Sequence, residues 1–193
     1  MKRQTTLLAA LLASAVALQG CAPIVAGGAA TGAAVTSDQR TTGTVIEDQV
    51  IETKSGDFFR ADAALSQRAR LSVTSYNQIA LVTGQAPTED LRKRAVEYVS
   101  RIAKVRHVYN EIEVASPVTA MQISNDTVLT TKVKSKLLTI KDLKSTDVKV
   151  VSENGVVYLM GLLDQPTGDA VAEVVAGVSG VRKVVKLFEP PAR

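Results

Sequence analysis

Apolar residues follow three patterns along this chain. Near its start they form an almost unbroken run from Leu7 to Ala17, preceded by Lys2 and Arg3. The run is shorter than the ~20 residues that a helix needs to cross a bilayer, and a short apolar run after basic residues is typical of a signal peptide. We therefore predict that residues 1–20 direct export and are then removed.

The second pattern is an alternation with a period of two, which predicts short strands, and it occurs twice. Residues 71–84 and 148–161 align without a gap at a shift of 77 positions. Apolar residues coincide in the two stretches, and each stretch ends on a glycine, Gly84 or Gly161. A residue without a Cβ permits a bend or a close approach of two backbones at that position. The repeat predicts two copies of one folding unit.

The third pattern is helical spacing, which occurs before and after the strands of each copy. The first helices are predicted to open at a capping residue, Asp48 in copy one and one of Ser124, Asn125 or Asp126 in copy two. The second helices are predicted to open at Thr88 and at Asp169. Each copy then ends in one further strand.

The resulting order in each copy is α-β-β-α-β. Asn154-Gly155 lies between the first two strands of copy two and predicts a tight hairpin, because both residues accept a positive φ. We predict an α+β protein of two tandem small domains, residues 44–115 and 118–190. In each, a three-stranded sheet is covered on one face by two helices.

The stretch between the signal peptide and copy one is rich in Ala, Gly and Thr, which predicts a flexible linker over residues 21–43. It begins at Cys21, the only cysteine of the chain, and Leu18-Gln19-Gly20-Cys21 resembles a bacterial lipobox. The resemblance implies cleavage before Cys21, a diacylglyceryl thioether on its sulfur and an outer-membrane destination, since Ala22 rather than Asp follows. The alternative is an ordinary secretory signal followed by a chance cysteine.

Composition narrows the chemistry that the chain can perform. One Cys excludes an internal disulfide framework and a Cys-built zinc site, and one His excludes a pair of His ligands, so that we expect neither a metal nor a cofactor. The net charge of +4 is too small for a strongly basic nucleic-acid binder.

No catalytic residue is predicted. His107 is the only imidazole, and Lys183 takes its place in copy two, which favours an exposed strand residue over a general base. Acidic pairs such as Glu89 and Asp90 suit the positive end of a helix. The enzyme alternative is a peptidoglycan hydrolase.

Taken together, these motifs resemble a known family. Paired α-β-β-α-β units with a glycine at the end of the second strand, and Val-x-x-Val entering the third at 105–108 and 181–184, resemble BON domains. The lipobox and the linker sequence at 38–43 make the chain similar to the dual BON-domain outer-membrane lipoproteins of Gram-negative bacteria.

The resemblance implies a function as well as a fold. It implies a non-enzymatic, lipid-anchored protein that faces the periplasm and maintains the integrity of the outer membrane. It further implies that the second domain binds anionic phospholipid and that the protein can concentrate at the division site. The alternative is an adaptor that docks envelope-assembly or division proteins without recognising lipid directly.

The first helix of copy two offers a surface for lipid. At 100° per residue, Leu129, Val133, Leu137 and Ile140 share the side that should face the core. The other side presents lysines that suit lipid phosphates and a leucine that suits the acyl boundary. Its residues are Thr127, Val128, Thr131, Lys134, Leu138 and Lys141. The alternative is that the lysines form a solvated face and that Leu138 packs on the neighbouring domain.

Overall fold

The computed structural model describes residues 38–144 and 146–191. The predicted signal peptide, the lipidation site Cys21 and most of the predicted linker lie outside the described residues.

The fold confirms the prediction of an α+β protein built from two similar halves. The elements of the first half are α1 (Thr42–Ala61), α2 (Ala63–Arg68), β1 (Arg70–Tyr76), β2 (Ile79–Ala86), α3 (Glu89–Ser100) and β3 (His107–Val114). Those of the second half are α4 (Ala120–Leu137), β4 (Val148–Glu153), β5 (Val156–Leu162), α5 (Gln165–Ala176) and β6 (Lys183–Glu189).

Each half contains one sheet of three strands with the same topology. The first two strands form an antiparallel hairpin, and the third lies parallel to the second after a helical crossover. The register repeats as well, because Gly84 faces Leu71 in the first sheet and Gly161 faces Val148 in the second. Both pairs are separated by the shift of 77 positions seen in the sequence.

The two glycines lie where the neighbouring backbone comes very close. A Cβ on Gly84 would be 1.9 Å from the carbonyl oxygen of Arg70, and Gly84 has a φ of +116°. A Cβ on Gly161 would be 2.3 Å from the carbonyl oxygen of Asp147. No side chain fits at either position without a shift of backbone.

Three of the four predicted helix starts are wrong. Helix α1 is capped by Thr41, and α4 by Thr119, whose hydroxyl and the Gln122 side chain form a capping box. Asp48 and the segment Ser124–Asp126 therefore lie inside helices and do not begin them. Helix α5 is capped by Asp164, five residues before the predicted Asp169. Only Thr88 caps the helix predicted to begin at it.

Hydrophobic packing covers both faces of each sheet, not one face as the sequence indicated. One face packs under the helices of the same half, with Ile51 and Val99 at its centre in the first half and Val133 and Val171 in the second. The other faces of the two sheets meet in a third buried cluster. It consists of Tyr76, Ile79, Leu81, Tyr158, Met160, Leu162 and Leu187.

Polar contacts border this interface between the sheets. The Glu153 carboxylate accepts hydrogen bonds from Arg70 and from the Gln85 amide, both at 2.9 Å. The Tyr158 hydroxyl donates to the Glu111 carboxylate at 3.2 Å. Burial, with the added effect of Glu111, raises the pKa of Tyr158 above its usual value, so that this hydroxyl remains protonated.

The segment before α1 is held against the first half by an arginine. The Arg40 guanidinium donates to Asp38 and to Asp48, each at 2.8 Å, and lies 3.9 Å above the centre of the Tyr76 ring. Burial alone would raise the pKa of Asp38, but the side chain and backbone N–H of Arg40 outweigh it, so this pKa lies below its usual value. These contacts join the segment just before α1 to the first half of the protein.

Candidate lipid-binding surface on helix α4

Helix α4 is fixed to the second sheet by one apolar side. Leu129, Val133 and Leu137 are buried there, as the helical spacing predicts. The helix ends at Leu137, with Leu138 as its C-cap, so that Ile140 and Lys141 lie in the following turn and not on the helix. The prediction of a helix continuing to Lys141 is therefore wrong.

The opposite side of α4 and the turn that follows the helix are open to solvent. All six residues that the sequence assigned to it are exposed: Thr127, Val128, Thr131, Lys134, Leu138 and Lys141. We call these residues the α4 face. Val128 is 51% exposed and Leu138 is 65% exposed, so Leu138 does not pack on the neighbouring domain. Met121, 72% exposed near the start of the helix, was not identified from the sequence.

The hydroxyls of the two threonines of the α4 face donate hydrogen bonds to backbone carbonyls of the same helix. The Thr127 hydroxyl donates to the carbonyl of Ile123, and the Thr131 hydroxyl to that of Thr127, each at 3.0 Å. A hydroxyl that already has a partner costs less to remove from water. The arrangement therefore lowers the cost of placing this side of α4 against lipid.

The lysines around the α4 face have no acidic partners among the described residues. Lys132, Lys134 and Lys136 lie in the last turns of α4, where they also complement the helix dipole, and Lys141 and Lys144 follow. By contrast, Arg92 pairs with Glu89, and Arg94 pairs with Asp62. The positive charge of α4 is thus left available for an external anion.

A small apolar cavity adjoins the α4 face at the end of the helix. Its volume is about 290 Å³, and Leu137, Leu138, Leu143 and Val148 line it. Lys134 and Lys144 border it. The sequence did not predict this cavity, because the turn after α4 and the start of β4 form part of its wall.

The corresponding helix of the first half has the opposite charge. Helix α1 carries two basic and four acidic residues, whereas α4 carries three basic and one acidic. Val50 occupies the position of Val128 and is also exposed, as are Ile46 and Phe58. Exposed apolar residues therefore occur on both helices, but only α4 combines them with a positive charge.

The only imidazole of the chain, that of His107, lies at the start of β3. The His107 ring is exposed and makes an edge contact with Tyr109, with centroids 4.6 Å apart. No group of three His, Cys, Asp or Glu side chains suited to a metal ion occurs in 38–144 or 146–191.

Among the helices that the structure describes, none has the length and apolar character required to cross a membrane.

Comparison with known proteins finds one family profile that matches twice and several relatives that match over most of the chain. The sequence profile of the BON domain matches residues 47–116 and 125–189. The chain is 42% identical over 182 residues to outer membrane lipoprotein DolP of Haemophilus influenzae, covering 94% of each chain. It is 41% identical over 151 residues to a 21 kDa hemolysin of Actinobacillus pleuropneumoniae, covering 78% of each. It is 28% identical over 191 residues to osmotically-inducible protein Y of Escherichia coli, covering 95% of this chain and 94% of that protein.

Proposed function

Because this chain belongs to the BON domain family, and within it to the dual-domain outer-membrane lipoproteins, we propose that its second domain binds anionic phospholipid through the α4 face. The protein is an outer-membrane lipoprotein, and we place its anchor at Cys21, with the two domains facing the periplasm. Binding to the leaflet would serve the integrity of the outer membrane and of the division site.

One observation carries the proposal: exposed apolar side chains and unpaired lysines occur together on α4. Near an anionic surface each lysine contributes about 1 kcal/mol, and Leu138 can enter the acyl boundary. A few such contacts give weak, reversible binding. The acyl anchor compensates by keeping the domain close to the leaflet, which raises its effective concentration there.

We further propose that the protein is not an enzyme. The relatives that it matches over most of its length include a lipoprotein named for its location. The only imidazole of the chain, that of His107, is exposed and contacts the Tyr109 ring, and we infer that the chain acts by where it is held and what it binds. A peptidoglycan hydrolase would instead lose activity on substitution of His107.

The α4 face can be tested with the double variant Lys134→Glu and Leu138→Asp. We expect this variant to lose co-sedimentation with vesicles that contain phosphatidylglycerol, because it replaces an attraction by a repulsion and puts a charge into the acyl boundary. Both side chains are exposed, so that the thermal unfolding midpoint should stay within a few degrees of the wild-type value.

The matched control is Lys54→Glu with Ile46→Asp on α1. It makes the same change of charge at two exposed positions of the first domain, and it should leave binding intact. If the wild type and the α4 variant bind vesicles equally well, the α4 face is not the lipid-binding surface. Equal loss in both variants would show that net charge alone controls binding.

The anchor is tested separately by Cys21→Ser. We expect this variant to lose incorporation of labelled palmitate and to be depleted from the outer-membrane fraction, because no acyl chain would remain to hold it there. Intact mass of the wild-type protein should show the added lipid. A wild-type protein of unmodified mass, free in solution, would contradict the proposal.

One observation favours the alternative function, docking of envelope proteins. Ile46, Val50 and Phe58 are exposed on α1, a helix without net positive charge, and such a surface suits a protein partner better than an anionic leaflet. NMR titration with anionic micelles separates the two functions. Lipid binding predicts shifts of amide signals of α4, whereas pure docking leaves them unchanged.

A further inference from the structure

A groove runs beside α4, distinct from the cavity at the end of that helix. It is bounded by the helix, by the hairpin turn Asn154-Gly155 and by the loop that precedes β6, and its volume is about 400 Å³. Val128 and Leu129 contribute apolar lining, while Lys132 and Arg182 bring positive charge. We call it the α4 groove.

Comparison of the two halves shows how this space stays open. In the first half, Glu47, Gln78 and Lys104 occupy the corresponding positions. The Lys104 ammonium lies 3.4 Å from the Glu47 carboxylate, and the Gln78 amide donates to the same carboxylate. These three side chains bridge helix, turn and loop across the space.

In the second half the same three positions hold Asn125, Gly155 and Gly180. The backbone is alike in both halves: φ is 76° at Lys104 and 103° at Gly180, and it is 65° at Gln78 and 72° at Gly155. The difference between the halves is therefore one of side chains, and it removes the bridge from the second half alone.

The charges in the α4 groove favour an anion. Lys132 and Arg182 are exposed and have no carboxylate partner among the described residues; Arg182 donates to the Asn154 carbonyl at 3.2 Å. The acid of the groove, Asp126, accepts the backbone N–H groups of Asn154 and Gly155, at 2.8 and 3.0 Å. Its charge is thus partly balanced by amide dipoles, and two cations remain for a ligand.

We propose that the α4 groove holds the phosphate headgroup of an anionic phospholipid whose acyl chains lie against the α4 face. The inference rests on the proposed function and deepens it by assigning a headgroup site. A phosphate group is common to lipid and to free phosphate. We commit to the lipid because Val128 belongs both to the groove lining and to the exposed face, so that one molecule can contact the two together.

The test fills the groove without changing the charge of the protein. The variant Asn125→Glu with Gly180→Lys introduces the ion pair that bridges the first half. We expect residues 22–193 carrying it to bind vesicles of phosphatidylcholine and phosphatidylglycerol about tenfold more weakly than the wild type, since the bridging side chains would occupy the space in which the headgroup meets Lys132 and Arg182. The matched control, Glu47→Asn with Lys104→Gly, opens the first half and should bind as the wild type does.

A second variant guards against a folding defect in the first. Lys132→Gln with Arg182→Gln leaves the glycines in place and should also weaken binding about tenfold. Circular dichroism of both variants reports whether the fold is kept. Wild-type affinity in either folded variant would overturn the groove as the headgroup site.

The remaining outcomes separate the two proposals. If the groove variants bind normally and the α4 face variant does not, the headgroup site is wrong and the proposed function stands. If the wild type binds no vesicle, both fall. If inorganic phosphate displaces the protein from vesicles at concentrations near those of accessible lipid, the site takes a free anion, and the assignment to lipid is overturned.

Discussion

At the scale of single residues, two aspartates explain how each hairpin is joined to its first helix. Asp48 accepts hydrogen bonds from the Ser75 hydroxyl and from the backbone N–H groups of Asn77 and Gln78, at 2.7, 2.8 and 2.7 Å. Asp126 accepts the equivalent turn N–H groups in the second half. The two residues at each turn have a positive φ, and their backbone N–H groups have no partner within the hairpin. The aspartate carboxylates accept hydrogen bonds from these N–H groups.

Replacing Asp48 should therefore be costly. Asp48→Ala would leave buried donors without a partner, and we expect the free energy of unfolding to fall by about 2–4 kcal/mol in urea titration. Asp57→Ala is the control on the same helix, because Asp57 is exposed and pairs only with the exposed Arg60; its effect should stay below about 1 kcal/mol. Similar effects of the two variants would contradict this role.

The Asp38–Arg40 contact predicts a dependence on pH. Because the folded-state pKa of Asp38 is lowered, its contribution is present above the unfolded value, near 3.8, and is lost as the pH falls through the folded value. Asp38→Asn should lower the stability at neutral pH by about 1–2 kcal/mol. The difference from wild type should shrink below pH 3.8, as followed by urea unfolding over a pH series. A difference that is constant with pH would refute the assignment.

At the scale of elements, the sequence predicts the α-β-β-α-β order and the hairpins well, because period and turn chemistry are local signals. The predicted helix starts at Asp48 and near Asp126 are wrong for a physical reason. Asp48 and Asp126 have the chemistry of caps, but they serve turns that are about 30 residues away. Helix α2 was missed because Asp62 both interrupts the helical run and caps a new turn, accepting from Ala64 and Leu65.

Gly84 in β2 and Gly161 in β5 are predicted to tolerate no side chain. Gly84→Ala and Gly161→Ala should each lower the free energy of unfolding by more than about 2 kcal/mol, because a Cβ would meet a carbonyl oxygen of the neighbouring strand or loop. Gly177→Ala, at the end of α5, is the control: its nearest neighbour would be 3.6 Å away and its φ is −77°. We expect it to be neutral or slightly stabilising.

At the scale of the whole molecule, the two sheets pack face to face. A signal for this was present: β2 and β5 are apolar on both faces, whereas a strand with one exposed face would alternate. The exposed side of α4 could be predicted because it depends on one helix. The α4 groove could not, since it depends on the relative positions of a helix, a turn and a loop that are distant in sequence.

The shared cluster predicts that both halves unfold together. Wild-type protein should show one calorimetric transition, and Met160→Asp should separate it into two, because a charge at this fully buried position disrupts the contact between the sheets. Leu138→Asp, an exposed position, should leave one transition. Two transitions in the wild type would show that the interface contributes little to stability.

The buried layer between the sheets has one further consequence. Leu81 and Tyr158, like Ile79 and Val156, are equivalent positions of the two halves and meet in that same layer. Two free copies of one half, joined by this surface, would form an isologous homodimer, in which every substitution appears twice. Because the two halves belong to one chain, a substitution in one half leaves the other unchanged. The first half can therefore keep its bridging side chains and its acidic helix α1, while the second half has an open groove and a basic helix α4.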